Sequence, residues 1–185
     1  MKSYLITDPR YYGTTPEELR AALEGVSLRH TPWAALLRDK EHPCYADMAA
    51  VFVEVVRRIW PNTLAVIHSD TLLASTLGAD ALHLPFRLLS KLEEAQHAGL
   101  QVIVSVHSLQ EAIRAEEAGA DYIVVSPFFP TPGKGEPLGL EKINEILATI
   151  KKPIIALGGI VTQAQIDAVA RMGIDRFASI RYFVS

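Results

Sequence analysis

Polar residues recur at one place in this chain, directly after short runs of β-branched and other apolar residues. Thr7-Asp8, Arg38-Asp39-Lys40, His68-Ser69-Asp70, His83, Ser105 with His107, Ser126-Pro127, Gly158-Gly159 and Ser179 to Arg181 each close such a run. His68, His83 and His107 are imidazoles, which titrate near neutral pH and can pass a proton. For any one of them a hydrogen-bonded structural role is the plainer alternative. Arg38 and Lys40 alternate at a strand end, so both can face one anion; solvated surface charge is the competing reading. Gly158-Gly159 would let backbone N–H groups approach phosphate oxygens, unless the pair only makes a tight turn. The loop of residues 128–135 carries Thr131 and Lys134, which suit a second anionic group if the loop closes over a ligand. As a bland proline-glycine linker it would hold only a solvated lysine. There is no Gly-x-Ser-x-Gly elbow to support a serine nucleophile.

The apolar runs themselves predict strands over residues 3–7, 33–38, 64–68, 81–84, 101–106, 122–126, 153–157 and 176–180. Helical spacing lies between them. Residues 45–59 place apolar side chains at 48, 51, 52, 55, 56 and 59, one face of a helix. Residues 16–23, 109–118 and 163–172 also read as helices, the first opened by Thr-Thr-Pro and the others preceded by a Ser or Thr cap. Gly78-Ala79-Asp80, Gly119-Ala120-Asp121 and Gly173-Ile174-Asp175 separate a helix from the next strand. Glycine there supplies the left-handed residue that ends a helix cheaply. Eight strands alternating with helices predict a parallel sheet closed as a (β/α)₈ TIM barrel, one domain over residues 1–185. In such barrels chemistry sits at the strand C-terminal ends, where the polar residues gather, and the loops after strands seven and eight commonly bind phosphate. The sequence ends at Ser185 without an eighth helix. The face beside the eighth strand is therefore expected to be bare, and a homo-oligomer is predicted to cover it.

Composition narrows the partners. A net charge of −3 gives no basic excess for nucleic acid. A single cysteine, Cys44, excludes an intrachain disulfide and a cysteine-built zinc site. The apolar run before Asp8 is too short for a signal peptide, and residues 48–59 are interrupted by Glu54, Arg57 and Arg58. A cytoplasmic soluble protein that binds a phosphorylated small molecule is expected, with neither membrane nor nucleic acid as partner.

Several segments together resemble the thiamine phosphate synthase/TenI family over nearly the whole chain. They are residues 4–8 (YLITD), 37–40 (LRDK), 78–84 (GADALHL), 104–108 (VSVHS), 119–122 (GADY) running to 129–134 (FPTPGK), and 155–160 (IALGGI). The resemblance implies the barrel fold and an enzyme that joins an aminopyrimidine diphosphate to a thiazole phosphate with Mg²⁺. It implies that Arg38, Lys40, Thr131 and Lys134 meet the diphosphate and that Ser105 lies near the pyrimidine. Gly158, Gly159 and the backbone around Arg181 would take the thiazole phosphate. Ser105, His107 and Lys134 are the candidate catalytic residues, and His68 and His83 line the substrate. The synthase pattern has an Asn-Asp pair where His68-Ser69 stands and an aspartate where Pro85-Phe86-Arg87 stands, so Asp70 is the candidate metal ligand. TenI-type members lack both aspartates and tautomerise a thiazole carboxylate phosphate without metal; their catalytic histidine corresponds to Pro127. A TenI-like tautomerase and a non-catalytic binder of phosphorylated thiamine precursors are the alternative readings.

Overall fold

A computed structural model describes every residue except Lys40, Lys134 and Ser185. Eight parallel strands close into a barrel in sequence order: β1 (Lys2–Ile6), β2 (Ala34–Leu37), β3 (Leu64–His68), β4 (Ala81–Pro85), β5 (Gln101–Val106), β6 (Tyr122–Val125), β7 (Ile154–Leu157) and β8 (Arg176–Ser179). β8 pairs back to β1, with Leu5 opposite Ser179. The outer helices are α1 (Pro9–Tyr12), α2 (Pro16–Ser27), α3 (Tyr45–Ile59), α4 (Thr71–Thr76), α5 (Leu92–His97), α6 (Leu109–Glu117), α7 (Leu140–Thr149) and α8 (Gln163–Arg171), with 3-10 turns at Phe86–Lys91 and Arg181–Phe183.

The repeated glycine-aspartate hinges work as the sequence suggests and add a second function. Gly78, Gly119 and Gly173 all have positive φ, which stops each helix without a Cβ clash. In the first two hinges the aspartate that follows also ties its own strand to the one before. Asp80 accepts a 2.8 Å bond from the Ala65 amide, and Asp121 a 2.7 Å bond from the Val102 amide. These bonds hold the strand entrances in register, which fixes where the opposite ends emerge.

Two layers fill the barrel. Tyr4, Ile6, Ala34, Leu36, Val66, Ala81, Ile103, Val124, Ile155 and Ala178 point inward and are buried. Three of these are alanines, and the space they leave admits the Tyr4 ring, which reaches from β1 to β4. Below this layer the Arg176 guanidinium lies 5.3 Å from the Trp33 ring centre and 5.4 Å from that of Tyr122, closing the bottom. The larger core lies outside the strands, where the helices bury their apolar faces; Phe52, Val55 and Val56 of α3 are fully covered there.

The expected bare face beside β8 is not present. Phe177 points outward from β8 but is only 3% exposed. Tyr182 packs edge-on against it at 5.2 Å, and Phe183 is fully buried with His30 packed on both rings. A single 3-10 turn thus does the covering that a helix or second subunit was expected to do, which removes that ground for a homo-oligomer. Among the described residues no helix is long and apolar enough to cross a membrane.

Candidate active site

Two adjoining cavities open at the C-terminal ends of the strands. The first, of about 350 Å³, has Ile6 and Leu36 as its apolar floor and Arg38, His68, His83, Ser105, His107 and Ser126 among its walls. The second, of about 440 Å³, is bounded by Asp8, Arg10, Gly159, Ile160, Ser179 and Arg181. Arg38, Thr131, Leu157, Gly158 and Ile180 line both. The inward alternation of β2 to β8 therefore brings the predicted strand-end residues into one mouth.

The second cavity has the chemistry of an anion cup. The amides of Gly159, Ile160, Ile180 and Arg181 find no acceptor among the described residues, and all four residues line this cavity. Ser179 fixes the two halves together: its hydroxyl donates to the Ile160 carbonyl at 2.7 Å and accepts from the Tyr182 amide at 3.2 Å. Unpaired amides at a rim with Arg10, Arg38 and Arg181 favour a phosphate. Asp8 is the balancing charge. It accepts from the Arg10 Nε at 2.9 Å and Nη2 at 2.8 Å, and these bonds hold its carboxyl below the usual carboxylate range.

Of the two readings that the sequence leaves open for Gly158 and Gly159, the tight-contact one has a direct structural counterpart. The β6–α7 loop docks directly on them through Phe128 N–H to the Leu157 carbonyl, 2.8 Å, and Phe129 N–H to the Gly158 carbonyl, 3.0 Å. A Cβ on Gly159 would stand 2.6 Å from the Pro130 carbonyl oxygen. The pair is thus needed for close loop contact, and that contact carries Thr131 to the shared wall. The Thr131 hydroxyl donates to the Phe129 carbonyl at 2.9 Å. The peptide between Ser126 and Pro127 is cis.

In the first cavity the histidines differ in kind. His83 is buried and its Nδ1 is 2.9 Å from the Tyr4 hydroxyl, while its Nε2 is 2.6 Å from Ser105 Oγ. Burial pushes its pKa down to about 3, with the nearby His68 and Arg38 adding to the shift. His83 therefore stays neutral and does not serve as a proton donor in the neutral range. His68 stacks on His83 with ring centres 5.8 Å apart and its Nδ1 lies 2.7 Å from Ser69 Oγ. His107 is exposed at the rim, with Nδ1 2.9 Å from the Ser126 carbonyl oxygen. A carbonyl can only accept, so Nδ1 is the donor, and in the neutral tautomer that this selects the lone pair is on Nε2.

Of the other predicted site residues, one falls elsewhere and two are not described. Lys40 and Lys134 lie outside the described residues. Asp70 lines neither cavity: its Oδ1 accepts from the Leu73 amide at 2.9 Å and caps α4. It is not brought into the site as a metal ligand, because the helix start consumes it. Sequence reasoning missed Arg10, Tyr4 and Tyr45. Arg10 follows an Asp-Pro cap and so opens a short helix at the mouth, which is a readable signal. Tyr4 carried none, since its partner lies 79 residues away. Tyr45 bridges two strand ends, donating to the Leu37 carbonyl at 3.0 Å and accepting from the His68 amide at 3.2 Å.

The residues present do not fit the magnesium that the resemblance implies. Mg²⁺ requires hard oxygen ligands in octahedral array. Among the described residues no carboxylate lines the first cavity, and Asp8, which lines the second, is committed to Arg10. No group of three or more His, Cys, Asp or Glu side chains is placed to hold a metal among the described residues.

Comparison with known proteins agrees with the barrel. Residues 3–183 match the family model described as thiamine monophosphate synthase. The thiamine-phosphate synthase of Desulfitobacterium hafniense (strain Y51) is 33% identical, over 98% of this chain and 88% of that protein. That of Roseiflexus sp. (strain RS-1) is 31% identical, over 92% of this chain and 72% of its own length. Among solved structures, a thiamine phosphate pyrophosphorylase from Pyrococcus furiosus superposes with a TM-score of 0.79 at 28% identity, covering 97% of this chain and 85% of that one. The N-acetylmannosamine-6-phosphate 2-epimerase from Clostridium perfringens shares the fold alone, at a TM-score of 0.70 and 14% identity. A match along essentially the whole barrel makes this chain a member of the thiamine monophosphate synthase family.

Proposed function

We propose that the protein joins an aminopyrimidine diphosphate, seated in the first cavity, to a thiazole phosphate, seated in the second, and releases pyrophosphate. The observation that carries this reading is the pair of cavities with a common wall. A reaction of two phosphorylated heterocycles needs two such compartments open to each other, whereas a one-substrate isomerisation needs one. In the reaction the bond between the pyrimidine methylene carbon and the diphosphate oxygen breaks, and its electron pair leaves with pyrophosphate. The thiazole ring nitrogen then donates its lone pair to that carbon.

The amides of Gly159, Ile160, Ile180 and Arg181 hold the thiazole phosphate, with Arg10 and Arg181 at the rim. Arg38, with access to both cavities, meets the negative charge that grows on the departing diphosphate, and Thr131 offers its oxygen nearby. Lys40 and Lys134 are assigned to the same diphosphate on the sequence alone. Leu157 and Ile180 make the shared wall apolar, which keeps water from the reacting carbon. Ser105 touches the pyrimidine, and His107 Nε2 is a base within the same cavity. Magnesium dependence is general among thiamine-phosphate synthases, but among the described residues the two cavities offer it no carboxylate apart from Asp8, which is paired with Arg10.

A second reading has one specific support. A carboxylate-free cavity with an acceptor nitrogen on His107 also suits a metal-free proton shift on a thiazole carboxylate phosphate. Purified protein given both synthase substrates, with Mg²⁺ and separately with EDTA, separates the two. Thiamine phosphate and pyrophosphate in equal amounts are expected, with product persisting in EDTA. No product at enzyme concentrations equal to substrate would overturn the synthase reading in favour of the tautomerase.

A further inference from the structure

We propose that Tyr4 and His83 are positioning residues which fix the direction of the Ser105 hydroxyl, so that Ser105 donates to a heteroaromatic ring nitrogen of the ligand. The inference rests on the aminopyrimidine reading above for the identity of that ring, but not for the direction of the hydroxyl.

Tyr4 is fully buried and its hydroxyl is 2.9 Å from His83 Nδ1, the sole polar group recorded for it among the described residues. A buried phenol must place its proton on an acceptor. Tyr4 O–H therefore donates to Nδ1, and Nδ1 accepts. A neutral imidazole carries one proton, so that proton sits on Nε2. Nε2–H then donates to Ser105 Oγ, 2.6 Å away. Ser105 has accepted one bond, and its own hydrogen faces the first cavity, whose wall it forms. The opposite direction would leave the Tyr4 hydrogen buried without an acceptor.

The surrounding packing makes the direction difficult to reverse. His83 is 4% exposed and lies against the His68 ring, and its lowered pKa keeps it from taking a second proton. Small Ala34 and Ala81 line the interior that Tyr4 crosses, so the phenol occupies a place shaped for it. A site with a fixed donor selects a lone pair. It binds a ring nitrogen and disfavours a ring C–H or N–H at the same position, because the donor would then be left unpaired.

The first experiment is nitrogen-15 NMR of the histidine-labelled full chain without ligand. The His83 signals are expected to report Nε2–H with Nδ1 unprotonated, and to shift toward a mixed tautomer in Tyr4→Phe. A proton on Nδ1 in the unaltered protein would overturn the proposal. The second is calorimetric binding of the unreactive hydroxymethyl aminopyrimidine and of its analogue with the contacted ring nitrogen replaced by C–H. The unaltered protein should prefer the nitrogen compound by about 10- to 100-fold. Tyr4→Phe should reduce that preference, and Ser105→Ala should abolish it. In the Ser105→Ala background, Tyr4→Phe should have no further effect. An undiminished effect of Tyr4→Phe in that background would mean that Tyr4 acts on packing, and would refute the relay. If the tautomer is as stated but neither compound binds, the substrate reading fails while the fixed direction of Ser105 stands.

Discussion

Acidification should destabilise this protein through His83 before its carboxylates begin to titrate. The unfolded chain binds a proton at that ring with the ordinary pKa of 6.5, whereas in the folded barrel burial pushes it down to about 3. Between those values the unfolded state gains a proton that the folded state refuses, so stability falls as pH falls. Linkage gives a loss of about 1.4 kcal/mol at pH 5.5 and about 2 kcal/mol at pH 5, relative to pH 8. Against a typical total of roughly 5–15 kcal/mol this is readily measured. Urea unfolding at half-unit steps from pH 8 to pH 5 is the assay, with His83→Asn as the control. Asparagine cannot titrate, and its amide oxygen can still accept from Tyr4. The variant should be less stable at pH 8, yet its stability should fall less steeply, so the two curves converge toward pH 5. His30, whose pKa is also lowered by partial burial, acts equally on both proteins and drops out of the difference. Parallel curves would refute the reasoning, because they would mean that the folded site accepts the proton.

Gly159→Ala places a Cβ 2.6 Å from the Pro130 oxygen at a φ of 67°. We expect a loss of about 2 kcal/mol, read as a fall in Tm of roughly 4–8 °C, with weaker phosphate binding; an unchanged Tm would refute the loop contact. Arg176→Ala removes a guanidinium held between two rings and should cost about 2 kcal/mol in urea unfolding. Arg176→Met keeps an apolar stem but also removes the charge between the rings, so it should recover only the packing part of that loss; full recovery in Arg176→Met would count against the cation–ring contacts. Asp8, held below the usual carboxylate range by Arg10, adds stability above the unfolded carboxylate pKa that is lost as pH falls through the folded one. Asp8→Asn should therefore flatten the acid limb below about pH 4 and leave the slope between pH 8 and pH 5 unchanged, as followed by circular dichroism.

All eight strands are legible in the sequence, and β3 and β5 match their expected bounds at both ends. Strand runs here are buried on both faces, so they stand out as continuous β-branched segments between helices. α3 matches as well, because fifteen residues are enough for one apolar face to repeat. α1, α4 and α5 hold four to six residues each, too few for periodicity, and exist because caps and packing hold them. α7 is preceded by Gly139, which has no side chain to cap it, so the usual start signal is missing.

The sequence by itself determined the closed barrel, the mouth where chemistry gathers and most of the side chains that line it, because alternation along a strand fixes which residues point inward. Only tertiary structure decided what those side chains do there. Asp70 looks like a metal ligand until α4 takes its carboxylate. His83 looks like an acid–base group until Tyr4, three strands away, supplies its hydrogen bond and burial keeps it neutral. The anion cup depends on which amides lack an acceptor, and the covering of β8 on where Phe183 turns back. Each of these is settled by contacts between residues far apart in sequence, and local residue patterns carry no record of such pairings.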